Sequence, residues 1–240
     1  MYLLCIFIFI YLEDIVGIGA RLLANILEQN GYLEFNLFKK KDSKESTKDY
    51  YYGLTEKEMN DKYPKKEFNP AYFTLIYGEL DGENRNKIKQ ILNNKDNKNG
   101  KNIKIIIGSE VTKESITFLN VREVHIINYQ DNISSIDQII GRAIRHCSHK
   151  DLKKEDRNVK IFKYVCSIPN KSKNKYKESA EEFEYRIMRK EHILIKKIER
   201  EIKKIAIDCS LFKNSNLFEQ DIKKYKNCET KKNPIECPEE

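Results

Sequence analysis

Apolar residues form three short runs along the chain, and a polar stretch follows each of them. The runs are Met1–Leu12, which contains no charged residue, Ile103–Ile107, which is rich in β-branched residues, and Val121–Ile127. Short apolar runs of this kind are typical of strands that are buried on both faces of a parallel sheet. Helical patterns between and after these runs predict an α/β fold in which helices flank the sheet.

The first run has two interpretations. Twelve uncharged residues are too few to cross a bilayer, which needs about 20 apolar residues in a helix. No basic residue precedes Met1–Leu12, as a signal peptide would require. We therefore favour a buried β-strand, with a signal or interfacial anchor as the alternative. A methionine directly before the expected first strand also suggests a chain that is truncated at a domain boundary.

An arginine pair follows the third run. Residues 138–149 have the sequence QIIGRAIRHCSH, in a helix that we predict from about Ser134. Residues three apart share a helix face, so Arg142 and Arg145 are expected side by side, with Gln138 one turn before Gly141. The planar guanidinium group matches phosphate oxygens. The pattern predicts a phosphate-binding surface, although two helical arginines also occur as ordinary solvated residues.

A polar loop lies between the second and third runs. It spans Gly108–Ser115, directly after the strand predicted at Ile103–Ile107. Open α/β sheets bind ligands at the carboxyl ends of their strands. We therefore expect this loop and the arginine helix to lie at the carboxyl ends of neighbouring strands, facing one ligand.

These residues carry a family resemblance. Lys101–Asp151 resembles motifs V and VI of superfamily 2 helicases, and looks closest to the helicase-like NTPases of large cytoplasmic DNA viruses of the poxvirus and African swine fever virus type. Ala180–Leu211 is similar to the helical C-terminal end of that group, and Ile15–Phe35 to the first helix of its second motor domain. Tyr77–Glu79 with Arg85 looks like motif IV. The resemblance implies a RecA-like three-layer domain with a parallel sheet and a basic C-terminal helical extension.

The resemblance also implies roles for single residues. Arg145 matches the arginine finger, which reaches the γ-phosphate of ATP held by a first motor domain, and Arg142 matches its phosphate-contacting companion. The positions implied to contact nucleotide are Gln138, Gly141 and Glu114. The positions implied to contact nucleic acid are Ser109, Glu110, Thr112 and Lys113.

Two positions depart from the family pattern. Ser115 replaces a usual glycine, and a serine is strained if that position requires a positive φ. Asn128-Tyr129 replaces a common Asp-Pro. Neither change removes the implied arginine finger.

Two motifs of a complete motor are not found in these 240 residues. One is the phosphate-binding loop Gly-x-x-x-x-Gly-Lys-Ser/Thr, and the other is the acidic Asp-Glu-x-Asp/His box that holds Mg²⁺. An arginine finger stabilises a transition state that other groups assemble. We expect ATP and Mg²⁺ to be engaged only through a partner first motor domain, and no ATP hydrolysis by this chain alone. The alternative is a non-enzymatic fragment that binds nucleic acid or a transcription complex.

Charge is unevenly distributed. The net charge is +8; residues 1–38 hold one basic and four acidic side chains (net −3), so residues 39–240 carry +11. A basic surplus fits salt-sensitive contact with the phosphates of DNA or RNA, although Lys- and Asn-rich tracts also serve solubility alone. We predict residues 39–66 and 93–101 to be polar insertions, the first a loop or short helix and the second a loop, neither of which needs a fixed structure.

The domain organisation follows from these patterns. We predict a RecA-like helicase C-terminal domain over 1–168, a linker over 169–177, a helix over 178–212 and a polar tail over 213–240. The helix is amphipathic, with its apolar stripe at Phe183, Ile187, Leu194, Ile198, Ile202 and Ile205. Its stripe is expected to pack on the domain core. Its basic face is either solvated or a contact for nucleic acid or a partner.

Six cysteines occur without a Cys-x-x-Cys pair, a pattern typical of free thiols in a reducing, intracellular compartment, and we favour the cytoplasm. His146-Cys147-x-His149 has the beginning of a zinc site but lacks two further ligands at suitable spacing. We therefore predict no metal site. These residues are expected instead to cap the arginine helix.

Overall fold

Six parallel strands form one sheet in the part of the chain that the structure describes. The computed structural model describes residues 6–13, 19–38, 42–77, 81–110, 112, 116–127, 130, 132–169 and 177–206. The strands are β1 (Ile8–Tyr11), β2 (Leu33–Glu34), β3 (Tyr72–Ile76), β4 (Ile105–Gly108), β5 (Glu123–Ile126) and β6 (Lys160–Lys163). They lie in the order β2-β3-β4-β1-β5-β6, and every neighbouring pair is parallel. The predicted RecA-like α/β fold with a parallel sheet is confirmed.

Helices follow the strands along the chain. They are α1 (Ala20–Gln29), α2 (Glu56–Lys62), α3 (Gly82–Leu92), α4 (Ile133–Ala143) and α5 (Ala180–Lys204). Short 3₁₀ helices occur at Lys95–Asn97 and Lys154–Asp156. The chain divides into two compact units, Met1–Glu182 and Phe183–Glu240. The sheet and helices α1–α4 all belong to the first unit.

The N-terminal apolar run supplies a central strand. β1 pairs with β4 on one side and β5 on the other. Phe9 and Tyr11 are completely buried, and Ile8 and Ile10 are half-buried. The prediction of a buried strand is therefore confirmed for Ile8–Tyr11. Within the described ranges, no helix has the length and apolar character needed to span a bilayer.

Side chains of β1 alternate between two packed layers. Ile8 and Ile10 pack with the buried cluster on the α1 side, whose members are Leu12, Ala20, Ala24, Phe73, Leu75, Ile105 and Ile107. Phe9 points to the other face, where its ring centroid lies 4.8 Å from that of Phe118. The Phe118 amide donates to the Arg142 carbonyl of α4. Helices therefore cover both faces of the sheet around β1.

The first polar insertion is ordered. Asp49 is buried, and its Oδ1 accepts hydrogen bonds from the amides of Tyr51 and Tyr52, both at 2.8 Å. Its Oδ2 accepts from the Asn69 amide at 2.9 Å. α2 then begins with a capping box at Thr55. The predicted short helix is confirmed by α2, but the prediction that this tract needs no fixed structure is wrong for residues 42–66, because one buried carboxylate satisfies three backbone donors and closes the loop.

The second polar insertion is ordered for a similar reason. Asn97 is fully buried, and its Oδ1 accepts from the amides of Asn102 and Ile103, both at 2.9 Å. Its Nδ2 donates to the Leu92 carbonyl at 3.0 Å. The prediction of a loop without fixed structure at 93–101 is therefore wrong. This single amide joins the end of α3 to the start of β4.

The C-terminal helix α5 is shorter than the predicted 178–212. It ends at Lys204, and residues 207–212 lie outside the described ranges. Four members of the predicted apolar stripe are more than half exposed, namely Leu194, Ile198, Ile202 and Ile205. The division into linker, helix and tail stays a prediction.

Candidate nucleotide-facing site

Helix α4 carries the motif that the sequence singled out. It begins after Asn132, whose side chain accepts a hydrogen bond from the Ser135 amide at 2.8 Å. Its buried face is formed by Ile136, Ile139 and Ala143. Gln138 lies on the exposed side of the helix. The helix therefore starts one residue from the predicted position, and its apolar spacing fixes which side faces solvent.

The helix ends before the second arginine. Ile144 has φ −106° and ψ 89°, outside the helical region, so α4 stops at Ala143. Arg142 is half-buried in the last turn, whereas Arg145 is exposed beyond it. The prediction that both arginines lie on one helix face is wrong. Instead the Nε of Arg145 folds back and donates to the Gly141 carbonyl at 3.1 Å.

Residues 142–149, which we call the arginine turn, lie at the amino end of β5. The Asn120 amide donates to the Ser148 carbonyl at 2.9 Å, and Asn120 precedes β5 by three residues. α4 begins at the carboxyl end of β5 and runs antiparallel to the strands, as a βαβ crossover requires. We call the polar loop at Gly108–Ser115 the motif V loop. The expectation that the arginines and this loop share the carboxyl edge of the sheet is therefore wrong.

Glycine and two small polar residues shape the motif V loop. Ser109 and Thr112 are buried; the Ser109 amide donates to the Ile76 carbonyl at 3.1 Å, and the Thr112 Oγ1 donates to the Ser109 carbonyl at 2.5 Å. A Cβ on Gly108 would lie 2.6 Å from Thr112 Cγ2 and 2.8 Å from Phe9 Cε2. The Ser109 side chain donates to the Ile76 carbonyl of β3 at 3.4 Å, so both side chains take part in holding the loop, and their contact with nucleic acid stays a prediction.

The remaining predicted residues of this loop divide into two groups. Glu110 is exposed. Lys113, Glu114 and Ser115 lie outside the described residues, as do Asn128 and Tyr129. The nucleic-acid role of the loop and the nucleotide role of Glu114 stay predictions.

A buried tyrosine marks the carboxyl edge of the sheet beside this loop. Burial raises the pKa of the Tyr11 hydroxyl, and the nearby carboxylates of Glu13 and Glu110 raise it further. The Gln130 side chain donates to Glu13 at 3.2 Å. The Tyr11 hydroxyl therefore stays protonated at neutral pH, and the charge near it comes from the two carboxylates.

Ser148 caps the end of α4. Its side chain is buried; Oγ accepts from the Arg145 amide at 3.3 Å and lies 3.2 Å from the Ala143 carbonyl, to which it donates. Cys147, just before it, has a φ of +59° and an exposed thiol. The prediction that His146, Cys147 and His149 cap the helix is wrong in its residues: the side chain that bonds back to α4 is that of Ser148, which His149 contacts.

His149 connects this cap to the sheet. Its Nδ1 lies 2.8 Å from Ser148 Oγ, and its Nε2 lies 2.6 Å from the Val121 carbonyl, just before β5. No spacing in the sequence indicates this link, because Val121 and His149 are 28 residues apart.

Among the described residues, no cluster of three or more His, Cys, Asp or Glu side chains is placed to hold a metal ion.

The site and fold agree with a family match. Residues 33–147 match the model of the helicase conserved C-terminal domain. The chain therefore carries a helicase C-terminal domain, and the resemblance to superfamily 2 helicases is confirmed.

Viral proteins are among its relatives. Two proteins of Acanthamoeba polyphaga mimivirus, each named "putative ATP-dependent RNA helicase", are 36% identical over 96% of this chain and 39% identical over 67% of it. An African swine fever virus protein named early transcription factor large subunit homolog is 32% identical over 59% of the chain. The chain spans 21%, 28% and 12% of the lengths of these three relatives.

Proposed function

We propose that this chain is the second RecA-like motor domain of an ATP-dependent nucleic-acid helicase or translocase. The observation that carries the proposal concerns Arg145 in the arginine turn. Its side chain is exposed, while its backbone amide is bonded to the buried Ser148 side chain. The helicase domain match and the names of the mimivirus relatives support it. Because those names specify RNA, RNA is the first nucleic acid to test, with DNA as the other outcome.

The chemistry that we propose is electrostatic. The Arg145 guanidinium reaches the γ-phosphate of ATP bound by a first motor domain, and Arg142 contacts the same phosphates. Fixed cations there stabilise the charge that develops during phosphoryl transfer. Gln138, Gly141 and Glu114 line the nucleotide, and the loop at 109–115 transmits closure of the cleft to the bound strand. In this proposal Mg²⁺ is held by the first motor domain, which carries the acidic box in the family that this sequence resembles.

Reconstitution tests this proposal. We define the chimeric motor as the mimivirus relative at 36% identity in which this chain replaces the matched segment. RNA-stimulated ATP hydrolysis is expected from the chimeric motor and not from the isolated chain, because the chain supplies the finger without a phosphate-binding loop. The control is the same relative with the segment deleted. Hydrolysis by the isolated chain, or a folded chimera no more active than the deletion, contradicts the proposal.

A second candidate is a non-enzymatic module that binds nucleic acid or a transcription complex. The African swine fever virus relative, named as a transcription factor subunit homolog, favours it. In that case the isolated chain binds nucleic acid with a steep salt dependence, as phosphate contacts require, and the chimeric motor shows no turnover.

We further propose that the protein works in a reducing, intracellular compartment, with the cytoplasm favoured. The two cysteines whose state the structure describes, Cys147 and Cys166, are free thiols. Titration of the unfolded, unreduced protein should therefore find six thiols; fewer would contradict the proposal.

Substitution of Gly141 is expected to affect stability and turnover in opposite directions. A Cβ added to Gly141 meets nothing within 4 Å, so Gly141→Ala should raise the free energy of unfolding by about 0.5–1 kcal/mol, because alanine favours helix. In the chimeric motor the same change is expected to reduce turnover, because the methyl group occupies space that the nucleotide needs. Thermal melting and ATPase assays measure the two effects. A stabilised variant with full turnover would show that Gly141 does not contact nucleotide.

A further inference from the structure

Two side chains connect the arginine turn to the sheet. From the Val121 carbonyl, hydrogen bonds run through His149 Nε2 and Nδ1 to Ser148 Oγ, which accepts from the amide of Arg145. The chain of contacts therefore begins two residues before β5 and ends on the backbone of the proposed finger itself.

This path leads from buried residues near the sheet to the exposed arginine turn. Val121 is completely buried, Ser148 is buried and His149 is half-buried. Arg145, His146 and Cys147 are exposed. The anchored end of the path thus lies in the packed interior, and the end that it holds projects into solvent, where packing does not fix it.

The donors and acceptors determine how the path is connected. A carbonyl only accepts, so His149 Nε2 carries a proton and donates to Val121. The single Ser148 hydroxyl proton serves either an unprotonated His149 Nδ1 or the Ala143 carbonyl; in the second case Nδ1 carries a proton and donates to Ser148 Oγ when the two are hydrogen-bonded. In both arrangements the Ser148 oxygen accepts from the Arg145 amide and His149 stays tied to Val121. The contact at His149 Nε2 is therefore the constant anchor.

We infer that His149 and Ser148 are positioning residues for Arg145. This inference rests on the proposed function, since it requires Arg145 to act on a phosphate. An exposed arginine outside a helix has no rigid element of its own to orient it. The Gly141 contact directs its Nε, and the Ser148–His149 path fixes the backbone from which the side chain starts. Displacement of a catalytic group by about 1 Å costs on the order of a hundredfold in rate.

The first experiment compares histidine variants in the chimeric motor. His149→Ala is expected to lower kcat about 10- to 100-fold and to leave KM for ATP nearly unchanged. His149→Gln keeps an amide donor near the Nε2 position and should recover most of the kcat. His146→Ala, at an exposed residue of the same turn, is the matched control and should match wild type. Equal kcat for His149→Ala and wild type would overturn the inference.

A double-mutant cycle separates positioning from a general structural effect. If His149 acts through Arg145, His149→Ala should cause no further loss in an Arg145→Ala background. Additive losses would overturn the inference while leaving the proposed function intact. If Arg145→Ala itself has no effect, the proposed function fails instead.

A measurement on the isolated 240-residue chain avoids dependence on the chimera. In His149→Ala and Ser148→Ala, amide hydrogen exchange at Arg145 should accelerate about tenfold or more, because the hydrogen bond that protects it is weakened or removed. Exchange in β1 and β5 should stay as in wild type, which shows that the sheet remains folded. Unchanged exchange at Arg145 in both variants would overturn the inference.

Discussion

Replacing Arg145 with alanine is expected to reduce ATP turnover of the chimeric motor by about 10³-fold or more. The reason is that the guanidinium stabilises charge that exists only in the transition state, so kcat should fall much more than the affinity for ATP. Arg145→Lys keeps the positive charge without the planar fork and should recover only part of the loss. Steady-state kinetics with saturating RNA measure both variants.

Stability should not explain this loss. Arg145 is exposed, and among the described residues its guanidinium bonds only to the Gly141 carbonyl. Thermal melting of the isolated variant chain is therefore expected to match wild type. Arg189→Ala, at an exposed arginine of α5, provides the matched control for removal of one surface charge. Turnover of Arg145→Ala within about tenfold of wild type would contradict the assignment of the finger.

Phe9→Ala is expected to lower the free energy of unfolding by about 3–5 kcal/mol. Phe9 is fully buried in β1, the strand between β4 and β5, and its ring lies against Phe118. Removing the ring leaves a cavity in the layer under α4, which neighbouring strands cannot close without breaking their pairing. This loss is large beside a typical domain stability of about 5–15 kcal/mol.

Urea unfolding of the isolated chain measures the effect. Phe38→Ala is the matched control, since Phe38 is 79% exposed and the same truncation should change stability by about 0.5 kcal/mol or less. Similar midpoints for the two variants would show that β1 is not the centre of the core.

Short apolar runs were sufficient to locate the central strands. Ile103–Ile107 and Val121–Ile127 agree with β4 and β5 to within two residues at each end, and Met1–Leu12 contains β1. Burial on both faces requires apolar side chains at successive positions, so the pattern is visible without any partner. The motif VI spacing likewise identified α4 and its exposed glutamine.

The order of the two polar insertions could not be predicted from their composition. Composition counts lysines and asparagines but does not show that Asp49 and Asn97 are buried among backbone amides. Each satisfies several donors or acceptors that belong to distant residues, such as Asn69 for Asp49. Loops that look disordered by composition are ordered when one polar side chain closes them.

The sequence by itself determined that this protein is an α/β domain with the arginine motif of helicase C-terminal domains, because strand burial and motif spacing are local properties. Only the tertiary structure decided where the arginines lie. Helix α4 ends at Ala143, where the Ser148 side chain bonds back to its last turn. Because α4 runs antiparallel to β5, the arginine turn lies at the amino end of that strand. The His149 contact with Val121 joins segments far apart in the chain, and such a contact exists only once the sheet has brought them together.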